Sequence, residues 1–310
     1  MIVGVETGGT KVVCAAAHED EPSRLVHTDT FATTDPASTV ERIRAYVRAV
    51  NGREGVSAIG VASFGPLDTD PGSPGYGTIT STPKPGWSGT DLLSPLRDEV
   101  DAPIAFTTDV NAAAVAEHRA RGGRAGNLAY VTVGTGIGAG ILIDGVVTGG
   151  SGYPEVAHLG VVRHPDDDFA GVCRFHGDCL EGLASGPAVQ ERWGADGSSL
   201  PPREHRAAIR LEAFYLAQLA TTLRYVVGTD LLIVGGGVAK TPGLIAAVAE
   251  RLGETDGAAG GSGRPPLQLE PAALPGLSGV IGAIELAADT LDDNGGTSSG
   301  RESSGSLSHV

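Results

Sequence analysis

Two glycine-rich turns constrain the fold of this 310-residue chain more than any other feature of its sequence. The first, Glu6-Thr7-Gly8-Gly9-Thr10-Lys11, joins the apolar runs 2–6 and 12–17. The second, Thr132-Val133-Gly134-Thr135-Gly136-Ile137-Gly138-Ala139-Gly140, joins the runs 129–133 and 138–143. Short apolar runs on either side of glycines predict paired β-strands. Because the same strand–turn–strand unit begins each half of the chain, the sequence predicts a duplicated scaffold.

The segments after these turns alternate between strand and helix patterns. In the first half we expect a strand at 25–31, a helix at 39–50 capped by Asp35 or Ser38, and a buried strand at 58–63. A helix at 91–99 and a strand at 104–108 follow, and a further helix starts near Val110. In the second half we expect helices at 204–227, 242–252 and 277–291, with a strand at 231–234. This order predicts an α/β fold with mixed sheets flanked by helices.

Two polar, glycine-rich stretches fall outside this pattern. Residues 254–266 predict a mobile loop, and residues 292–310 predict a disordered tail because they are too polar to pack.

Composition restricts the class of protein. A hydrophobic fraction of 41% is typical of a globular chain, and no apolar run approaches the length of a membrane span. The N-terminus lacks the basic region and cleavage site of a secretion signal, and three cysteines suit a reducing cytosol, so we expect a cytoplasmic protein. The formal net charge of −15 argues against a nucleic-acid or membrane partner, since basic patches supply most of that affinity.

Two of the three cysteines lie in a metal-binding pattern. Cys173, His176 and Cys179 are spaced three residues apart, so one tight turn can aim all three side chains at a single point. His158 can supply a fourth ligand from the preceding segment. Two thiolates and two imidazoles predict one structural Zn²⁺ per chain. The alternative is a pair of ordinary half-buried thiols or a disulfide.

The two glycine turns, and a third at residues 235–237 between a strand and a helix, are candidates for binding a nucleotide. Glycines let the backbone approach an anion, and amides and threonine hydroxyls donate to its oxygens. None of the three has the ending of a P-loop. The second turn imitates a dinucleotide fingerprint, but a strand follows it instead of a helix, which excludes that interpretation. The candidate residues are Gly8, Gly9, Thr10, Lys11, Thr135, Gly136, Gly235, Gly236 and Gly237.

Asp109 stands where a predicted strand ends and a predicted helix begins. Sheets of α/β proteins commonly place their chemistry at this end of a strand. Next to phosphate-binding turns, its carboxylate is a candidate general base for a hydroxyl nucleophile. Asn111 adds a neutral group that can bind a hydroxyl. The alternative role for Asp109 is that of a helix N-cap, which is the commonest role of Asp at such a junction.

Taken together, these residues resemble the ROK family of sugar kinases, in the actin/hexokinase/Hsp70 superfamily, and within it the bacterial fructokinases. The resemblance covers roughly residues 2–291. His176 replaces a cysteine of the common ROK zinc loop, and Glu6 stands where most of the superfamily has Asp. Besides the first and second turns, the motifs are Ser63-Phe64-Gly65-Pro66, Thr82-Pro83-Lys84-Pro85-Gly86-Trp87, Asp109-Val110-Asn111, His164-Pro165 and the run from Cys173 to Pro187.

The resemblance implies a two-lobed actin/hexokinase-like (ribonuclease H-like) fold with mixed sheets and a small zinc loop. Residues 1–113 would form the first lobe together with the last helix, 276–291. Residues 114–275 would form the second lobe, with the zinc loop at 155–181. The chain would be a homodimer.

The resemblance also implies a reaction: transfer of the γ-phosphate of MgATP to the 6-hydroxyl of a hexose, D-fructose above others. Asp109 would be the catalytic base, and the first two glycine turns would hold the phosphates. The residues expected at the sugar are Gly65, Pro66, Asn111, Glu155, His158 and Glu181.

Three other functions stay open at this point. A glucose, mannose or N-acetylhexosamine kinase would share these motifs. A ROK repressor would need a basic helix-turn-helix ahead of the strand that starts at Ile2, and this chain is acidic. A catalytically dead sugar sensor would not need Asp109 and intact glycine turns.

Overall fold

The computed structural model describes residues 1–149, 152–256 and 265–295, and it contains two five-stranded sheets with the same strand order. In each sheet the second strand is antiparallel to the first and third, and the fourth and fifth strands run parallel to the first. The predicted duplication is therefore present. The first sheet has the order β3-β2-β1-β4-β5, with β1 Ile2–Thr7, β2 Lys11–Ala17, β3 Leu25–Ala32, β4 Ala58–Ser63 and β5 Ile104–Thr108. The second has the order β8-β7-β6-β9-β10, with β6 Asn127–Val133, β7 Ile137–Ile143, β8 Val146–Val147, β9 Leu231–Gly235 and β10 Gln268–Pro271.

Helices cover both faces of each sheet. The first sheet packs against α1 on its outer face and α8 on its inner face, and the second packs against α6 and α7 outside and α3 inside. α3 and α8 pack against each other between the sheets. The helices are α1 Pro36–Glu54, α2 Ser94–Arg97, α3 Asp109–Ala120, α4 Leu180–Ala184, α5 Gly186–Trp193, α6 Pro202–Thr222, α7 Leu244–Asp256 and α8 Ser278–Gly295.

Because both faces of each sheet are buried under helices, the strands appear in the sequence as continuous apolar runs. Successive side chains of a strand point to opposite faces. In β1, Val3 and Val5 pack in the α1 core, whereas Ile2 packs in the α8 core. Close helix packing also requires glycine: a Cβ at Gly60 would lie 1.8 Å from the carbonyl oxygen of Ala283 in α8. The inner helices therefore sit closer to the sheets than larger residues would allow.

The largest differences from the prediction concern short helices and helix ends. The helix expected at 91–99 covers only Ser94–Arg97, because the Asp91 carboxylate accepts hydrogen bonds from the amides of Leu93 and Ser94 and so fixes a later start. α8 ends at Gly295, four residues beyond the predicted end at residue 291, so the tail prediction for 292–295 was wrong. Residues 296–310 of the predicted tail and 257–264 of the predicted loop lie outside the described residues.

The predicted lobe boundary at residue 113 falls inside α3, which runs unbroken from Asp109 to Ala120. The division into lobes stays a prediction. Of the helices in the described ranges, none combines the length and the apolar character needed to cross a membrane.

Candidate active site and metal cluster

Asp109 is the first residue of α3, directly after β5, as the sequence predicted. The helix N-cap is the preceding Thr108, whose hydroxyl accepts a hydrogen bond from the Asn111 amide at 3.2 Å. The interpretation of Asp109 as the N-cap was therefore wrong. Burial above all, together with the nearby charges of Glu6 and Glu155, raises the pKa of Asp109 to about 7, against hydrogen bonds from the Val110 and Asp109 amides. A buried carboxyl with such a pKa is suited to accept a proton near neutral pH.

The strand register places the first turn, Gly65 and Asp109 along one edge of the first sheet. Thr7, Ser63 and Thr108 pair in one row across β1, β4 and β5. The residues that follow them are therefore Gly8 of the turn, Phe64 and Asp109. Two strand spacings separate the first turn from Asp109, roughly 10 Å.

Hydrogen bonds hold this edge together. The first turn is closed by a bond from the Gly8 amide to the Lys11 carbonyl oxygen at 2.8 Å. The Phe64 amide donates to the Thr7 carbonyl oxygen at 2.9 Å, and the Thr7 hydroxyl donates to that of Ser63 at 2.6 Å. Gly65 and Pro66 directly follow, in cis. The predicted sugar-binding residues Gly65 and Pro66 thus lie beside the first turn.

Glu6, at the end of β1, contacts a distant helix. Its Oε2 accepts a hydrogen bond from the Val280 amide in the first turn of α8, at 3.1 Å. The neighbouring Gly279 has no room for a side chain, since a Cβ there would lie 2.5 Å from the Glu6 carboxyl carbon. Burial raises the pKa of Glu6, partly offset by the charge of Lys11. The longer side chain of Glu, compared with Asp, is thus used to reach α8.

Glu155 and Glu181 extend the acidic cluster from Asp109 toward the second glycine turn. The Oε2 of Glu181 accepts from the Ile137 amide at 3.0 Å, directly after that turn. Partial removal from water raises the pKa of Glu155; the charge of His158 lowers it, and that of Glu181 raises it. Four carboxylates, those of Glu6, Asp109, Glu155 and Glu181, therefore lie between the two turns. We call the region between the two turns, which these four carboxylates line, the cleft; its negative charge favours cations.

The second and third turns meet at the N-terminus of α5. The second is closed by a bond from the Gly134 amide to the Gly136 carbonyl oxygen at 2.9 Å, and the Gly186 amide of α5 donates to the Gly134 oxygen at 2.7 Å. Gly236 has a φ of +89° and lies so close to the Val133 backbone that a Cβ would approach its oxygen to 2.3 Å. The role of α5 was not predicted from the sequence. Its N-terminal signal was Ser185 followed by Gly186-Pro187, a capping residue with proline at the start of a helix.

The structure brings all four predicted metal ligands together. One nitrogen or sulfur atom each from His158, Cys173, His176 and Cys179 lies within 4.8 Å of every other. The Nδ1 of His158 is 3.7 Å from the Cys173 sulfur and 3.6 Å from the Cys179 sulfur. The His176 Nδ1 is 3.9 Å from the Cys173 sulfur. Both thiols are free, so the disulfide alternative was wrong. Two nitrogen and two sulfur donors at this spacing fit a tetrahedral metal ion.

A tight hairpin forms the cluster. Cys173 and Gly177 exchange backbone hydrogen bonds of 3.1 and 2.8 Å, which turns His176 back toward Cys173. Cys179 then begins α4 as its N-cap residue, and Glu181 lies in the first turn of that helix. The cluster is therefore linked through one short helix to the carboxylate that contacts the second glycine turn.

A buried polar network anchors the segment that leads into the cluster. The Asp167 carboxylate accepts from the Tyr215 hydroxyl at 2.5 Å and from Arg192 at 3.2 Å. The Tyr215 oxygen in turn accepts from the His164 amide at 3.3 Å. Because Arg192 lies in α5 and Tyr215 in α6, the network fixes the His164-Pro165 motif to two helices.

Asn111 lies in the first turn of α3, two residues after Asp109. Its side chain has no exposed surface, its amide nitrogen donates to the Thr107 hydroxyl at 3.3 Å, and its Oδ1 has no hydrogen-bond partner among the described residues. A contact between Asn111 and a substrate stays a prediction.

Comparison with known proteins finds relatives that match most of the chain. The ROK family profile matches residues 2–290. The fructokinase of Zymomonas mobilis is 39% identical over 254 residues, which cover 81% of this chain and 84% of that protein. The fructokinase of Lactococcus lactis subsp. cremoris is 41% identical over 245 residues, covering 79% and 81%. The crystal structure of a ROK hexokinase from Thermus thermophilus matches with a TM-score of 0.76 and 25% identity, covering 94% of this chain and 99% of that one.

Proposed function

The chain belongs to the ROK family, and we propose that it is an ATP-dependent fructokinase that transfers the γ-phosphate of MgATP to the 6-hydroxyl of D-fructose. One observation carries the proposal most: Asp109 stands at the end of β5, beside the first glycine turn, with a pKa raised to about 7. The two fructokinase relatives support D-fructose over glucose, mannose or an N-acetylhexosamine. These two relatives also support a kinase over a sugar sensor or a repressor.

Asp109 acts in the reaction as the general base. A sugar hydroxyl is a weak nucleophile at neutral pH, so a carboxylate within hydrogen-bond reach takes its proton as the bond to phosphorus forms. The raised pKa makes the carboxylate more basic than an exposed Asp, and near pH 7 the carboxylate is ionised in about half of the molecules. Most of the remaining rate enhancement in phosphoryl transfer comes from positioning and neutralisation of charge.

The three glycine turns position the nucleotide in this proposal. Gly8, Gly9, Thr10 and Lys11 in the first turn, and Thr135 and Gly136 in the second, contact the phosphates through amides and hydroxyls. The third turn, Gly235, Gly236 and Gly237, lies against the second turn and contacts the adenosine. Mg²⁺ enters with ATP as part of the substrate, into a cleft whose four carboxylates attract a divalent cation.

We further propose that the cluster of His158, Cys173, His176 and Cys179 binds one Zn²⁺ per chain. The donor set of two sulfurs and two nitrogens excludes Mg²⁺ and Ca²⁺, which prefer oxygen ligands. When bound, the metal supplies a structural cross-link and no step of the reaction. It holds α4, and with it Glu181, in the cleft. Since the His158 Nδ1 faces the cysteines, only its other ring nitrogen is left for a sugar hydroxyl.

A coupled ADP-release assay across D-fructose, D-glucose, D-mannose and N-acetylmannosamine tests the proposal. We expect the highest kcat/KM for fructose. A higher value for any of the other sugars would refute the substrate assignment, and no ADP release with any sugar would refute the kinase. The homodimer and the cytoplasmic location stay predictions; analytical ultracentrifugation of the full chain tests the first.

A further inference from the structure

Lysine is rare in this chain, and each lysine lies beside a glycine turn. Among 22 basic residues only three are lysines: Lys11, Lys84 and Lys240. Lys11 ends the first turn, and Lys240 follows the third in the short helix Val238–Lys240. Lys84 belongs to the Thr82–Trp87 motif, which is distant in sequence from any of the turns and to which the proposed function gives no role.

The side chain of Lys84 reaches the tip of the first turn. Its Nζ donates a hydrogen bond to the carbonyl oxygen of Gly9 at 2.5 Å, across 75 residues of sequence. An ammonium group has three donors. One is used by Gly9, and two are left for other acceptors at the turn.

The motif around Lys84 fixes this position. The Thr82 hydroxyl accepts from the Lys84 amide at 3.4 Å, and the Lys84 carbonyl oxygen accepts from the Trp87 amide at 3.2 Å. Gly86 permits the bend with a φ of +80°. Trp87 is fully buried, its Nε1 donates to the Thr34 carbonyl oxygen at 3.0 Å, and the Lys84 Nζ lies 6.0 Å from its ring centre. The ammonium is therefore held over a rigid aromatic side chain.

Among the residues that the structure describes, no carboxylate neutralises Lys84. Across the described ranges, arginines such as Arg44, Arg119 and Arg192 pair with carboxylates, whereas no lysine nitrogen lies within ion-pair distance of one. The Lys84 ammonium therefore presents an unneutralised positive charge, with two free donors, at the tip of the first turn, where an anion can bind. The chain is acidic overall, and four carboxylates line the same cleft, so a phosphate needs such a cation to approach.

From these contacts we propose that Lys84 is a further catalytic residue, which binds the terminal phosphate of ATP and stabilises its charge during transfer to the sugar. This inference rests on the proposed kinase function. The first turn and Asp109 share one sheet edge, roughly 10 Å apart, and the phosphoryl group passes between the nucleotide and the hydroxyl that Asp109 activates. Lys84 at the turn thus contacts the terminal phosphate rather than the adenosine. A preorganised charge at this point is worth about 100-fold in rate.

Two uncharged variants separate a catalytic charge from a structural contact. Lys84→Met removes both the charge and the hydrogen bond to Gly9. Lys84→Gln removes the charge but keeps a donor for the Gly9 oxygen. Lys84→Arg keeps the charge and serves as the conservative variant. Arg53→Met, at an exposed arginine in the last turn of α1, removes one positive charge far from the cleft and serves as the control.

The measurements are kcat with saturating fructose, and equilibrium binding of a non-hydrolysable ATP analogue and of ADP, each with Mg²⁺. We expect both Lys84→Met and Lys84→Gln to lower kcat about 100-fold and to weaken the ATP analogue about tenfold more than ADP. Lys84→Arg should bind the ATP analogue more tightly than the two uncharged variants do, relative to ADP. Arg53→Met should have the kcat and the nucleotide affinities of the wild type.

The inference is overturned if Lys84→Gln has the kcat of the wild type, or if the uncharged variants lose the same affinity for ADP as for the ATP analogue. Either result would leave Lys84 with only a structural contact to Gly9. Its failure is distinct from failure of the proposed function. If the wild type phosphorylates fructose and the Lys84 variants do too, only the inference falls. If the wild type releases no ADP with fructose, the proposed function is wrong. The binding of the ATP analogue compared with ADP still tests whether Lys84 contacts the terminal phosphate.

Discussion

The two sheets have the same strand order, but the segments that follow their fifth strands differ. In the first sheet, β5 leads directly into α3, and the first residue of that helix is Asp109. In the second sheet, β10 is followed by residues 272–277 before α8 begins, and the Glu117 carboxylate of α3 accepts from the amides of Ala273 and Leu274 and from the Ser278 hydroxyl. The same position of the scaffold therefore supplies a catalytic candidate in one copy and a structural contact in the other.

The connections between the third and fourth strands differ even more. In the first copy, the connection from β3 to β4 contains the single helix α1. In the second copy, the connection from β8 to β9 contains the metal cluster, α4, α5 and α6. Duplication thus gives the two turns that face the cleft, while the chemistry is located where the copies depart from each other.

The largest effect on activity is expected at Asp109, the residue that follows the fifth strand of the first sheet and has no catalytic counterpart in the second. Asp109→Asn should lower kcat by at least about 100-fold, because it removes the base while keeping the shape of the side chain. Fructose and MgATP should bind with near wild-type affinity, measured by calorimetry beside steady-state kinetics. The exposed Asp101→Asn, just before β5, is the matched control and should retain its activity. Near-normal turnover by a well-folded Asp109→Asn protein would contradict the catalytic role.

A smaller effect is expected from the cluster that only the second copy contains. Cys179→Ser should remove the zinc and raise the KM for fructose about tenfold or more, because Glu181 loses its support. The KM for ATP should change little. Metal analysis and kinetics check both outcomes, and Cys14→Ala, in β2 of the first sheet, should keep one zinc per chain. Active wild-type protein that contains no zinc would end this part of the account.

The pH dependence tests how Glu6 of the first copy acts on Asp109. The wild-type kcat/KM for fructose should rise with pH to a plateau, with a midpoint about 7, because the base must lose its proton to act. Glu6→Gln removes a neighbouring negative charge that raises the pKa of Asp109, so the midpoint should move to lower pH. A midpoint that stays in place or moves upward in Glu6→Gln would show that Asp109 does not set the profile.

The smallest effect, on stability alone, is expected in the connection from β3 to β4, which contains α1. The Asp35 carboxylate caps α1 by accepting from the Ser38 amide at 2.9 Å. Asp35→Ala should lower the midpoint of urea denaturation, because the Ser38 amide loses its acceptor, and leave kcat unchanged. A clear loss of kcat would mean that the first connection also takes part in the chemistry.

Local patterns in the sequence were enough to predict much of this arrangement. The strands β1 to β7 and β9 follow from apolar runs and glycine turns, whereas the two-residue strand β8 and the four-residue strand β10 were not predicted. The spacing of Cys173, His176 and Cys179 predicts the tight turn that carries them. The two sheets also had the predicted duplication. The sequence pointed to Asp109 as the alternative N-cap and not to Thr108, because Asp and Thr both cap helices and only the folded backbone decides between them.

What the sequence could not predict is mostly non-local. The contact between Glu6 and the Val280 amide joins residues 274 positions apart, and that between Lys84 and Gly9 joins residues 75 apart. Neither leaves a periodic signal, because each depends on how two elements pack. The short helices α4 and α5 were missed for a related reason: helices of so few residues are formed by tertiary contacts rather than by their own propensity.

The most direct test of the central claim is a competition for limiting MgATP among equal amounts of D-fructose, D-glucose, D-mannose and N-acetylmannosamine, with the phosphorylated products identified by NMR. The account predicts fructose 6-phosphate as the main product of the wild type and almost none from Asp109→Asn. A main product derived from another sugar, or phosphate on a different hydroxyl of fructose, would contradict it.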